Sequence, residues 1–166
     1  SLAYLAAAKN GLTEDELLDV LSRDAEVLAA FRRRSPRSPA VDRLPVVVWS
    51  RLSFDLEPYL AEHAADGATL LAFYHRQLRE GVVADYLAGT ARTERHRTLA
   101  SYFTEQDLEF RRDGETIANV RKLVELPYQQ TSGELWDDLF ATLTDFRFLE
   151  RKAAAVGVLE RAGPQG

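Results

Sequence analysis

The 166 residues contain no cysteine and no methionine. Without cysteine there are no disulfides, no thiol nucleophile and no thiolate metal site. Lysine is nearly missing too: Lys9, Lys122 and Lys152 are the only three among 21 basic residues. No apolar run approaches the ~20 residues that a membrane helix needs. No signal peptide opens the chain. A cytoplasmic protein without membrane contact is therefore expected. The known phosphate-loop, metalloprotease and hydrolase signatures are all missing: no GxxxxGK, no HExxH and no GxSxG. No catalytic residue and no metal ligand set can be named, so the chain is read as no enzyme.

Positive charge is also in deficit. The net charge is −5, a poor prior for nucleic-acid binding. His63, His75 and His96 stand far apart, without ligand spacing to carboxylates. His63 and His96 read as surface or partly satisfied side chains. The acids of "TEDELLD" and "LWDDL" read as exposed or as helix-start residues, where the dipole favours them.

What is present is a mainly α pattern. "SLAYLAAAKN" begins inside a helical pattern, which points to a piece of a longer chain. A helix is predicted over about 2–9 and a second over about 14–22. Thr13 and Glu16 form a capping box at the second, Leu12 and Leu17 take its staple positions, and Gly11 closes the first. Val27, Leu28 and Phe31 suit a short helix, and the Ser-Pro pairs then predict a loop over 33–43. Its arginine run reads as solvated loop rather than a phosphate site. Val48, Leu52 and Leu56 repeat at helical spacing, with Trp49 widening the face. Pro58 ends that helix near Leu56 or Glu57. Asp66-Gly67 between two apolar segments predicts a hairpin. Three helices and a hairpin make a winged helix, assigned to 1–88.

The rest, 89–166, reads as a helical arm. Leu78, Val82 and Tyr86 continue a helix after the hairpin. Another helix is predicted over roughly 92–103. From 116, Ile117, Val120 and Val124 suggest one helical stripe that Pro127 interrupts or ends. Leu135, Leu139 and Leu143 mark a further helix, with Trp136 and Phe140 one step round. Phe148 or Leu149, Ala153, Val156 and Leu159 mark the last. These short amphipathic helices suggest an α-hairpin bundle of tetratricopeptide type.

His75 stands where the hairpin's second strand gives way to a helix. A helix start favours anions, and an imidazole there can donate to a phosphate. The plainer roles are capping that helix or filling a corner.

Four segments, "GLTEDELLDVLS", "LPVVVWSRLSFDLEPYL", "DGATLLAFYHRQLREGV" and "ELPYQQTSGELWDDLFATLTDFRFLERK", together resemble the region that follows the ATPase core in NACHT-type STAND NTPases. The likeness runs over about 2–160. It implies a winged helix, then a helical segment with an "ELPY" motif, then WD or tetratricopeptide repeats. It further implies that a wing-end histidine, within a methionine-histidine-aspartate motif, contacts the β-phosphate of ADP and locks a resting state. Here that motif reads Tyr74-His75-Arg76, so only the histidine matches. The resemblance makes His75 the nucleotide-sensing candidate, with Tyr74 and Arg76 beside it. ADP or ATP with Mg²⁺ is expected in the parent protein, not in this chain. The expected partners are an upstream ATPase core and downstream repeats of the same chain.

Two other readings stay open. A DNA-binding winged-helix regulator would use Arg51 on the third predicted helix. Yet no Lys or Arg occurs from Leu52 through His75, while Asp55, Glu57, Glu62 and Asp66 do. A helical scaffold would dock partners on Trp136, Phe140, Phe146 and Phe148.

Overall fold

The computed structural model describes residues 2–35 and 43–161, with side chains as far as Ala155. At the N-terminal corner, α1 (Leu2–Ala7) meets α2 (Glu14–Arg23). The Thr13 hydroxyl accepts from the Glu16 N–H at 3.1 Å, and the Glu16 carboxylate accepts from the Thr13 N–H at 2.9 Å. The predicted capping box is therefore complete. Gly11 turns the chain at φ +105°, and a Cβ there would stand 2.3 Å from the Leu71 carbonyl oxygen. Only glycine tolerates both conditions. Leu12 then exchanges two backbone hydrogen bonds with Leu71, at 3.2 and 2.8 Å.

Asp24 caps α3 (Ala25–Arg34) through the N–H groups of Glu26 and Val27. That helix runs past 33, where a loop was expected to begin. Residues 36–42 of the expected loop lie outside the described residues. α4 (Val46–Leu56) ends where Pro58 predicts, in a 3₁₀ turn over Glu57–Tyr59. The short helix expected at Val27, Leu28 and Phe31 is α3, so four helices precede the hairpin among the described residues. Strands β1 (Leu60–Ala65) and β2 (Ala68–Phe73) pair antiparallel, from Leu60 opposite Phe73 to Ala65 opposite Ala68. Their two-residue turn puts Asp66 at φ 53° and Gly67 at φ 73°, the left-handed pair that a tight hairpin turn requires.

α5 (Arg76–Tyr86) and α6 (Thr90–Glu105) follow. The next segment corrects the sequence reading. Ile117 is not on a helix. It lies on β4 (Glu115–Ala118), paired with β3 (Glu109–Arg112). Asp113 and Gly114 make the turn, both with positive φ. Helix α7 (Val120–Ser132) starts only after Asn119, whose side chain accepts from the Lys122 N–H.

Pro127 neither ends nor divides α7, which is a second correction. Proline lacks the N–H that would bond the carbonyl four residues back. That carbonyl belongs to Leu123, and Lys152 Nζ donates to it at 3.0 Å. Lys152 sits on α9 (Phe146–Arg161), which forms a hairpin with α8 (Trp136–Thr144). The last helix thereby supplies the donor that proline withholds. The predicted Val156 and Leu159 positions lie outside the described side chains.

One hydrophobic cluster joins both halves of the chain. It includes Tyr4, Leu12, Leu17 and Val20, Leu71 from β2, Val82 from α5, Leu99 and Phe103 from α6, and Leu123 and Leu126 from α7. Each such fully buried side chain contributes roughly 1.5–3 kcal/mol. Phe148, expected on an outward docking face, is instead buried in this core.

Candidate functional site

The structure places His75 at the N-cap of α5, exposed, with extended backbone. Its side chain makes no capping bond, so the capping role fails. Nor does it fill a corner. Tyr74, also exposed, meets the imidazole edge-on with ring centroids 4.6 Å apart. The Tyr74 N–H donates to the Tyr59 carbonyl at 2.9 Å, continuing the hairpin by one residue. Arg76 turns to Glu80, 2.7 Å away on the next turn of α5. Arg79 donates to the Ala6 carbonyl at 2.9 Å and so fastens α5 to α1. An uncapped helix start beside a free imidazole suits an anion. The three candidates therefore stand together, on a firm mount, with the ring uncommitted. Among the described residues no group of three or more His, Asp and Glu gathers as a metal site.

The other end of the hairpin is tied down by a cluster that the sequence reading missed. Arg121 on α7 is buried. Its Nε and Nη2 donate to the two Glu16 oxygens, each at 2.9 Å, a fork-to-fork pair. Nη1 donates to Asp66 at 2.9 Å, and Nη2 also to the Gly11 carbonyl at 2.9 Å. Asn10 adds a second bond to Asp66, at 2.9 Å. One guanidinium thus holds the α2 capping box, the α1–α2 corner and the hairpin turn together. Glu16, read as a helix-start acid, is in fact a buried ion-pair partner.

Glu125, the first residue of "ELPY", completes the cluster and is fully buried. It accepts from the Lys9 and Asn10 N–H groups and from Gln129 Nε2, the last at 2.7 Å. Arg121 Nη1 lies 3.5 Å from it. Burial pushes its carboxyl above the ordinary glutamate value, against the pull of Arg121, Gln129 and the two N–H groups.

Gln129 passes the connection on. Its Nε2 donates both to Glu125 and to the Ala7 carbonyl, so its Oε1 must accept. His96 Nδ1, 2.6 Å from that oxygen, therefore carries the proton. His96 is buried, not on the surface. Burial, then the charge of Arg92, holds its imidazole below the ordinary value of 6.5, although the Gln129 bond works the other way. The folded state then binds fewer protons than the unfolded one below pH 6.5. The stability His96 contributes is complete above that pH and is lost as pH falls below it. Glu125, with a value raised from 4.5, acts in the opposite sense: the stability it contributes is lost as pH rises through its folded-state value. Melting temperatures at pH 7.5 and 5.5 test this: His96→Gln should flatten the loss seen in the unaltered chain. An unchanged difference between the two pH values would count against it.

A winged helix set on a helical bundle is the fold that the NACHT-type resemblance implies, and comparison with known proteins bears out that resemblance. The chain is 40% identical to human (Homo sapiens) NACHT domain- and WD repeat-containing protein 1 over 155 aligned positions, covering 76% of this chain and 10% of the relative. The mouse (Mus musculus) counterpart is 37% identical over the same length. Human NACHT and WD repeat domain-containing protein 2 is 35% identical over 105 positions, covering 62% of this chain and 6% of the relative. The chain thus spans about a tenth, or less, of the curated relatives it matches. It matches a segment of NACHT- and WD repeat-containing proteins, and those relatives are multidomain chains. No protein-family model matches it, and no solved structure does. No described helix is long and apolar enough to cross a membrane.

Proposed function

We propose that this region is a non-catalytic regulatory segment of a NACHT- and WD repeat-containing protein. Its winged helix presents His75 to the β-phosphate of ADP held on a neighbouring ATPase core, and so favours the resting state. Its helical bundle connects that core to the repeats that follow. The observation that carries the reading is the exposed, uncommitted imidazole at the uncapped start of α5. The ring can donate to a phosphate oxygen and the helix start favours its charge. Nucleotide and Mg²⁺ would be held mainly by the core. This chain would add one charge-assisted contact, and a switch follows if the contact exists in only one nucleotide state.

The test uses the full-length parent protein. His75→Ala should speed ADP release about tenfold, the worth of one hydrogen bond to a charged group, and should raise basal activity. His63→Ala, on an exposed position of β1, should leave release unchanged. An unaltered ADP off-rate in His75→Ala would overturn the reading. The DNA-binding alternative lacks support. The wing turn is bound to α7 and the α1–α2 corner through Asp66, and β1 and β2 carry no Lys or Arg.

A further inference from the structure

The α8–α9 hairpin carries a surface that the His75 reading leaves unused. Trp136 is 59% exposed, Phe140 71% and Phe146 76%, and Leu143 and Leu149 are also open. Trp136, Phe140 and Leu143 follow one another at helical spacing along α8, so they form a stripe. Phe146 and Leu149 do the same at the start of α9. α8 has no fully buried residue at all. Packing against α7 uses its other side, where Gln130 bonds Thr142 at 2.9 Å. Contiguous large apolar side chains at this exposure mark an interaction site rather than ordinary surface.

The charges beside the stripe say what covers it. Asp137, Asp145 and Glu150 are exposed next to these rings, against Arg147 alone among exposed basic residues from 134 to 155, while Asp138 lies on the opposite side of α8 with Gln130 and Thr142. Arg151, the next basic residue, is drawn away to Glu109 on β3. Helix starts account for Asp137 and Asp145, but they do not account for three open aromatic rings. The field beside the stripe is negative whatever placed the acids there. An anionic membrane or a nucleic acid is repelled by such a border. A helix with an apolar stripe flanked by Lys or Arg meets both features at once.

We infer that the α8–α9 face docks a basic amphipathic helix of a partner protein, with Trp136, Phe140 and Phe146 as the anchors. The inference does not depend on His75. The probe is a designed 18-residue Leu/Lys amphipathic helix, with a Leu/Glu helix of the same pattern as control. Trp49 and Trp136 are the only two tryptophans, so Trp49→Phe leaves Trp136 as the reporter. Trp136 emission should shift to the blue with the Leu/Lys peptide and not with the Leu/Glu peptide. Phe140→Ser should weaken binding about tenfold or more, as loss of an anchor does, with an unchanged circular-dichroism spectrum. Asp137→Asn with Glu150→Gln should weaken it less and reduce its dependence on salt. Equal response to both peptides, or binding indifferent to Phe140→Ser, overturns the inference. So does concentration-dependent self-association abolished by Phe140→Ser, which would make a second copy the occupant. Loss of peptide binding in the full-length parent would assign the face to another segment of the same chain, and overturns it too.

Discussion

Arg121→Met is expected to lower the unfolding free energy of the chain by about 3–5 kcal/mol, the cost of leaving buried charges without their partner. Methionine fills a similar volume, so the loss is electrostatic and not a cavity. Glu16 would keep only the Thr13 N–H, and Asp66 only Asn10. The Glu16 carboxylate is buried and cannot reach water without opening the corner. Urea denaturation followed by circular dichroism measures the loss. A drop under about 1 kcal/mol would show the cluster to be no more than a surface-type pair. A second variant separates the contributions: Asp66→Asn keeps the Asn10 neighbourhood and removes one ion pair. It should cost less than Arg121→Met, because Glu16 keeps its fork.

Gly11→Ala is the other large effect. The added Cβ would meet the Leu71 carbonyl oxygen at 2.3 Å, and the φ of +105° is itself strained for alanine. Neither atom is a flexible side-chain end, so backbone must move. Moving it breaks the Leu12–Leu71 hydrogen bonds and displaces the carbonyl that Arg121 bonds. A loss of about 2–5 kcal/mol is expected from clash and strain together. Gly67→Ala is the internal comparison. It has positive φ too, but open space around it, so only about 1–2 kcal/mol is expected. Thermal melts of the two variants give the ranking, and equal costs would show that the close approach at Gly11 is relieved cheaply.

Features written in neighbouring residues were the legible ones. The capping box needs only Thr13 and Glu16, and the first hairpin only Asp66-Gly67 between apolar runs. The wing exit at His75 followed from the same local change of period. Pro127 was opaque because its rescue comes from Lys152, on another helix. The β3–β4 hairpin was opaque for a different reason. Its strands are short and largely exposed, so apolar alternation was weak, and Ile117 happens to extend the spacing of Val120 and Val124. The Asp113-Gly114 turn was the signal that could have found it. Nothing in local spacing pairs Arg121 with Glu16 or Asp66, which are 105 and 55 residues away. Burial of Glu16 and Glu125 beside one arginine is decided by the fold.

The reach of Arg121 also bears on when the cluster forms. Contacts that close loops of this length are entropically costly early in folding. The carboxylates keep their water until α7 arrives, so the pairs belong to the last stage of assembly. Arg121→Met should therefore speed unfolding far more than it slows refolding. The same lateness makes the guanidinium a lock closed after the hairpin, the corner and the helical arm have each found their places.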